Sequence, residues 1–148
     1  MYRVIQLTNQ AVGAVAAGAL MPLGAITRRY GCRNTNGNSV FEVSTTGSNT
    51  ITINEEGYYH LNFTASLTAG VAGEIILDLL QNGIEVLSVA ETATAVGDTQ
   101  NISLNYVIRV LPSCCVVANT PAVVQIRLDE TSVALTGGTS NVIVEKVK

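Results

Sequence analysis

The sequence predicts an all-β protein of about ten short strands, on three observations. Apolar and polar residues alternate with a period of two in long runs such as 102–110 and 124–129. Asn-Gly and Gly-Gly dipeptides separate such runs, and they supply the positive φ that tight hairpins need. Thr, Val, Asn, Ser and Ile dominate elsewhere, and these residues favour strands and turns over helices.

The predicted strands cover, in chain order, residues 2–8, 23–30, 39–44, 50–54, 57–68, 73–82, 84–91, 99–111, 122–130 and 140–147. Tight turns are predicted at Asn36-Gly37, Asn82-Gly83 and Gly137-Gly138, and a four-residue turn at Asn54–Gly57. Strands of this length, separated by turns, argue for a sandwich or a barrel.

The N-terminal region is predicted to be extended. Ala11–Leu20 is rich in alanine, but two glycines and Pro22 interrupt it, so we expect irregular chain that crosses between two strands. Polar residues break the apolar run that a cleaved secretion signal requires. We interpret residues 1–148 as a single domain, with 1–25 as an extended strand and segment.

Composition restricts the partners. Hydrophobic residues make up 47% of the chain and charged residues 13%, against roughly 25% charged in an average domain. No segment reaches the ~18–20 apolar residues of a membrane helix, and a net charge of −3 argues against broad nucleic-acid binding. The excess apolar character therefore predicts surface covered by other subunits as well as a core.

The run Glu74–Leu80 is apolar on both faces, with Ile75, Leu77 and Leu79 opposite Ile76, Asp78 and Leu80. A strand of this kind is buried on both sides. In a two-layer sandwich, we expect its outer face to be covered by another chain or an overlying segment. Asp78 would then pair with an arginine across a subunit interface, because buried charges need partners.

A family resemblance lies in the same region. Gly57-Tyr58-Tyr59-His60-Leu61 resembles the Gly-x-Tyr-x-Phe signature of the tumour necrosis factor and complement-type globular heads, and Phe63 continues its inward row. The run 79–86 is similar to the Leu-x-x-Asn-Gly hairpin of that superfamily, and Ile51–Ile53 resembles its approach strand. The resemblance covers roughly residues 39–90.

The resemblance implies a ten-stranded antiparallel jelly-roll sandwich, a three-fold trimer and no catalytic residues. Within the superfamily the chain is most similar to small, collagen-free phage and prophage proteins of Gram-positive gut bacteria, which resemble head-fibre or capsid-decoration proteins. The C-terminal strand lacks the aromatic-glycine-aromatic pattern of animal members, so a signalling or complement role is not expected.

These inferences assign residues to roles. The trimer and core set is Tyr59, Leu61, Phe63, Ile76, Asp78 and Leu80. Arg28, Arg29 and Arg33 are either a solvated loop or a docking contact to an acidic surface of the virion, with the major capsid protein as the expected partner. The loops at 36–39 and 93–98 would be exposed for weak binding. The protein would be made in the bacterial cytoplasm and displayed on the virion surface.

The residues that could carry chemistry are scattered, so we expect no enzyme, cofactor or metal site. His60 is the only histidine and is expected on a strand, exposed or at an interface. The pairs Glu55-Glu56 and Asp129-Glu130 are adjacent, and neighbours on a strand diverge.

The three cysteines, Cys32, Cys114 and Cys115, are expected to be small buried side chains in a reducing cytoplasm. A bridge from Cys32 to one of the adjacent pair stays open. Pro112 and Pro121 bracket that pair and favour an edge or a loop there.

Two other roles fit the same fold. A host-receptor or glycan-binding module of a phage fibre would need aromatic residues on exposed loops, and the chain has no tryptophan and 5% aromatics. A bacterial surface or spore-coat adhesion protein is also compatible with the sequence.

Overall fold

A computed structural model describes residues 2–31, 33, 37, 39–111 and 121–148. These residues form ten strands and no helix, which confirms the predicted all-β class. Cys32, Asn36, Cys114 and Cys115 lie outside the described residues. The strands are β1 (Val4–Asn9), β2 (Ala25–Tyr30), β3 (Phe41–Val43), β4 (Ile51–Ile53), β5 (Gly57–Ala69), β6 (Gly73–Gln81), β7 (Ile84–Ala93), β8 (Thr99–Val110), β9 (Ala122–Leu128) and β10 (Leu135–Lys146).

The strands form two five-stranded antiparallel sheets. Sheet A has the order β2-β1-β10-β5-β8, and sheet B has the order β3-β4-β9-β6-β7. The connections β2–β3, β4–β5, β5–β6, β7–β8, β8–β9 and β9–β10 cross from one sheet to the other. The arrangement is the jelly-roll sandwich that the sequence motif implied.

The core lies between the sheets and is built by the predicted alternation. Tyr59, Leu61 and Phe63 on β5 are all 0% exposed, and the ring of Phe41 meets that of Tyr59 edge to face at 5.8 Å between centroids. Burial of each such side chain stabilises the fold by about 1.5–3 kcal/mol. These three members of the predicted trimer and core set therefore lie in the core of one chain.

Two of the predicted glycine turns differ in outcome. Asn82 (φ 52°) and Gly83 (φ 81°) join β6 to β7 in the tight hairpin predicted there. The prediction of a turn at Gly137-Gly138 is wrong, because both residues lie inside β10 beside a register shift. Gly138 has a φ of 146°, and a Cβ at this position would overlap the carbonyl oxygen of Ser66 on β5. β10 therefore begins at Leu135 rather than at residue 140.

Residues 10–24 leave sheet A after β1, reach β9 of sheet B and return to β2 in sheet A. The Val15 N–H donates to Leu135 O at the start of β10 (3.0 Å), and the Met21 N–H donates to Ile126 O on β9 (2.7 Å). Val12, Val15, Met21 and Leu23 are buried in the common core. The crossing segment is therefore part of the sandwich.

Candidate interaction surfaces

The outer face of sheet A, hereafter face A, is a surface with an unusual composition. It consists of the side chains that alternate with core residues on β1, β5, β8 and β10. Its members are Gln6, Thr8, His60, Asn62, Thr64, Ser66, Thr68, Asn101, Ser103, Asn105, Val107, Thr139, Asn141 and Ile143. The listed members include no Lys, Arg, Asp or Glu, so this part of face A carries hydroxyl, amide and aliphatic groups. The same outward rows end in Arg109 on β8 and Glu145 on β10, and Arg28 lies beside Gln6 on the adjoining β2.

Some of the polar groups of face A are fixed by hydrogen bonds between strands. Gln6 Nε2 donates to Asn141 Oδ1 at 2.7 Å, and Thr8 Oγ1 donates to the same oxygen at 3.2 Å. The hydroxyls of Thr68 and Thr99 lie 3.1 Å apart. Between β1, β10, β5 and β8, a depression of about 390 Å³ is lined mainly by residues with hydroxyl and amide side chains, and apolar atoms make up most of its surface.

The lower end of face A, where β5 begins and β8 ends, is apolar and charged. Val107 and Tyr58 are 52% and 41% exposed. The Arg109 guanidinium lies 5.8 Å from the centroid of the Tyr58 ring, which is within range of a cation–π contact. His60, which was predicted on a strand face, lies beside Glu145 with Nδ1 3.9 Å from Oε1.

The outer face of β6 needs no second chain. Asp78 is 0% exposed and Leu80 is 6% exposed within one chain, while Ile76 is half-buried. Burial of Asp78 and Leu80 therefore requires no sister copy, while cover by an overlying segment of the same chain stays a prediction. Ser88 on β7 and Arg127 on β9 contact the Asp78 carboxylate from the two neighbouring strands.

The partner of Asp78 belongs to the same chain. Arg127 Nη2 donates to Asp78 Oδ2 at 2.9 Å, and Ser88 Oγ donates to Asp78 Oδ1 at 2.9 Å. The expected arginine is thus present, but not across a subunit interface. Hydrogen bonding to Asp78 raises the pKa of Arg127 above its ordinary value.

The three predicted docking arginines lie close together but differ in availability. Arg28 is exposed on β2, and its guanidinium has no partner within the described part of the chain. Arg29 Nη2 donates to the Phe41 carbonyl at 2.6 Å, and Arg33 Nη1 donates to the Gly37 carbonyl at 3.0 Å. Of the three, Arg28 is therefore the one whose guanidinium is most available to a partner protein.

A buried ionic cluster was not predicted. Arg3 is 4% exposed and forms a bidentate pair with Glu55, through Nε at 2.7 Å and Nη2 at 2.9 Å. Lys146 Nζ donates to the same carboxylate at 3.2 Å. Hydrogen bonding from Arg3 is the main reason why the pKa of Glu55 is lowered. The sequence signal was a lone arginine before the apolar run that opens β1.

The other carboxylates act locally. Arg3 neutralises Glu55, while Glu56 is exposed, so the pair does not act as a unit. The Thr131 hydroxyl and N–H hold the pKa of Asp129 at about 2. The described residues include no group of three or more His, Cys, Asp or Glu side chains placed to hold a metal ion. Across the same residues, no helix is long and apolar enough to cross a membrane.

Comparison with known proteins shows the fold. A scan against protein-family models gave no match, and neither did a search of curated proteins. The globular domain of the zebrafish complement 1qA protein aligns over 99% of this chain and 98% of its own, with a TM-score of 0.66 at 11% identity. The Eiger TNF of S. frugiperda aligns over 99% and 93%, with a TM-score of 0.65 at 11% identity.

A virion protein shares the same architecture. The vertex protein P5 of phage PRD1 aligns over 99% of this chain and 97% of its own, with a TM-score of 0.63 at 18% identity. At these identities the likeness establishes the fold alone. The chain is thus similar in fold to complement and tumour necrosis factor heads and to a phage vertex protein.

Proposed function

We propose that this protein is a non-catalytic virion component, an auxiliary capsid protein of the decoration or head-fibre type, and that it acts as a homotrimer joined through face A. The observation that carries the proposal is the composition of face A. The fold likeness to a phage vertex protein supports the virion setting.

The low charge of face A is unusual for an exposed surface. An exposed sheet face normally carries charged side chains that keep copies apart. Face A instead offers neutral hydrogen-bonding groups around Val107 and Ile143, with Tyr58 at its lower end. Interfaces between subunits are depleted of charge at their centre and enriched in aromatic residues. Face A therefore matches a contact between copies better than it matches a permanently wet surface.

The subunit contact proposed here lies on face A, and not on the outer side of β6 where the sequence suggested it. Ile76, Asp78 and Leu80 are satisfied within their own chain, so they carry no argument for association. A three-fold assembly on face A would place three copies around one axis and leave sheet B outside. Such a trimer matches three-fold or quasi-three-fold positions on a capsid, and many copies would strengthen weak contacts to a host surface.

Sedimentation equilibrium at micromolar concentration tests the assembly. The wild-type chain should sediment at three times its 15.5 kDa mass. Val107→Arg and Asn62→Arg place three like charges in the contact and should give monomers. Val71→Arg is the matched control, because Val71 is 54% exposed against 52% for Val107 but lies on the β5–β6 turn. A monomeric wild type, or an intact trimer of both face A variants, would overturn the trimer.

The virion role needs a separate test. Particles purified from an induced culture of the source cells, after a density gradient, should contain the chain in a fixed ratio to the major capsid protein. Quantitative mass spectrometry measures that ratio. Expression of the chain in the cells without its presence in the particles would refute the virion role while leaving the trimer untouched.

A second candidate function is binding of a neutral glycan. The observation that favours it is the depression of about 390 Å³ on face A, which combines hydroxyl and amide side chains for sugar hydroxyls with a mostly apolar lining. A glycan array with the wild type and Ser66→Val separates the structural role from glycan binding. A glycan-binding protein should give a signal that falls in Ser66→Val, whereas a purely structural subunit gives no signal that depends on Ser66.

A further inference from the structure

Strand β2 is an edge of sheet A whose side chains are all exposed. It pairs with β1 on one side only. In an antiparallel pair, alternate residues turn their N–H and C=O groups away from the partner. Among the described residues, no backbone group of Ala25–Tyr30 bonds to any strand other than β1. Within the described part of the chain, the open side of β2 therefore presents unpaired donors and acceptors, interrupted by the register shift opposite Gln6 and Leu7, and such an edge is a template for a further strand.

The charge on this edge has one sign. β2 contains Arg28 and Arg29 and no acidic residue, although the whole chain carries a net charge of −3. β7, the edge strand of sheet B on the opposite side, contains Glu85 and Glu91 and no basic residue. The edge of β2 therefore suits a strand with acidic side chains and disfavours a basic one.

The two arginines face different directions, which separates their roles. Arg28 lies opposite Gln6 on the outer side of the sheet and is unpartnered in the described part of the chain. Arg29 lies opposite Ile5 and is already bonded to the Phe41 carbonyl, which ties β2 to sheet B. Beside Arg28, Tyr30 is 61% exposed and contacts the Tyr2 ring at 6.0 Å, which offers an apolar surface to an alternate side chain.

We infer that the open edge of β2 binds an extended, acidic segment of another protein by strand addition. The main-chain groups of the segment would complete the ladder, and a carboxylate side chain of the segment would pair with Arg28. The inference deepens the proposed function, since it names the chemistry of the virion partner that the exposed arginine would engage. The trimer would be joined through the outer face of sheet A and the segment would lie along its open β2 edge, so the two contacts use different sites, with Arg28 on the same outer side of the sheet as Gln6.

Hydrogen exchange with two blocked peptides tests the inference. One peptide is six residues of alternating valine and glutamate, and the other alternates valine and lysine. The glutamate peptide should slow exchange of the amides at 25–30, and the lysine peptide should not. Arg28→Glu should weaken the glutamate peptide about ten-fold or more and admit the lysine peptide. Lys148→Glu, the same charge change at an exposed site outside β2, should leave binding as in the wild type.

Several results would overturn the inference. These are equal binding of both peptides, protection that maps to another strand, and no protection at 25–30. Protection of 25–30 that rises with protein concentration in the absence of peptide would also overturn it, because the edge would then bind a second copy.

One result would support the inference independently of the trimer. Arg28→Glu should still sediment as a trimer while it loses binding of the glutamate peptide.

Discussion

Removing the charge of Glu55 should destabilise the fold, and the adjacent Glu56 provides a matched control. Glu55→Gln keeps the shape of the side chain and removes its charge. Arg3 would then keep its bonds to the carbonyls of Gly31 and Arg33 and lose the ionised carboxylate beside it. Glu56→Gln makes the same chemical change one residue away, on an exposed side chain.

The magnitude follows from burial. Arg3 is 4% exposed, and its two bonds of 2.7 and 2.9 Å to the carboxylate are replaced by at most one bond to the single carboxamide oxygen, with the ionic attraction lost. Breaking a buried pair by removing one partner costs about 3–5 kcal/mol. The side chain of Glu55 is 19% exposed, which places the loss at the lower end, about 3 kcal/mol. For a chain of this size, that corresponds to a fall in Tm of roughly 6–12 °C.

The loss should depend on pH with a defined sign. The pKa of Glu55 is lowered in the folded chain, so its ionised form stabilises the fold above the unfolded pKa of about 4.3. That contribution disappears as the pH falls through the folded pKa. The difference between wild type and Glu55→Gln should therefore be complete at pH 7 and shrink in acid.

Urea unfolding at fixed protein concentration measures the effect, since assembly would otherwise shift the midpoint. Equal midpoints for Glu55→Gln and Glu56→Gln at pH 7 would refute the reasoning. A difference that persists unchanged in acid would refute the assigned electrostatic cause.

Three other predictions concern single positions. Asp78→Ala should cost about 3 kcal/mol in urea unfolding, because Arg127 keeps a half-buried charge and its Nε already lacks a partner, whereas Glu85→Ala on exposed β7 should be near neutral. Gly138→Ala should destabilise far more than Gly83→Ala, which faces open space and costs about 1–2 kcal/mol through its φ of 81°; similar urea midpoints for the two would contradict the bulge argument. The Asp129 carboxyl should titrate near a pKa of 2 by NMR, and Thr131→Ala should raise that pKa, since the Thr131 hydroxyl is the largest cause of the shift; an unmoved pKa would exclude that cause.

The strands were predictable because their signal is local. The alternation in β5, β8 and β9 predicts one inward and one outward row of side chains on each strand. Asn82-Gly83 lies between two such runs, where a tight hairpin turn is its one low-energy conformation. Gly137-Gly138 had two uses, a turn or a bulge. Only the approach of the Ser66 carbonyl from β5 decides between them, and that contact depends on the tertiary arrangement.

The interaction surfaces were harder to predict, because they depend on which side chains the topology brings together. Arg3 and Glu55 are 52 residues apart and meet only through the jelly-roll crossover. The apolar outer side of β6 suggested a partner chain. The sequence gives no measure of how far a single chain covers that side, and in the fold Asp78 is 0% exposed and bonded to Ser88 on β7 and Arg127 on β9.

The case for association therefore has a different basis from the one the sequence suggested. A low content of charged residues says that some surface is uncharged but not where it lies. The register of sheet A collects the neutral residues of four strands onto one face, while most of the charged residues lie elsewhere. The same topology places β2 at the edge of that sheet, with an exposed Arg28. A subunit that joins its copies by a face and another protein by an edge can do both at once, as a protein that decorates a symmetric shell requires.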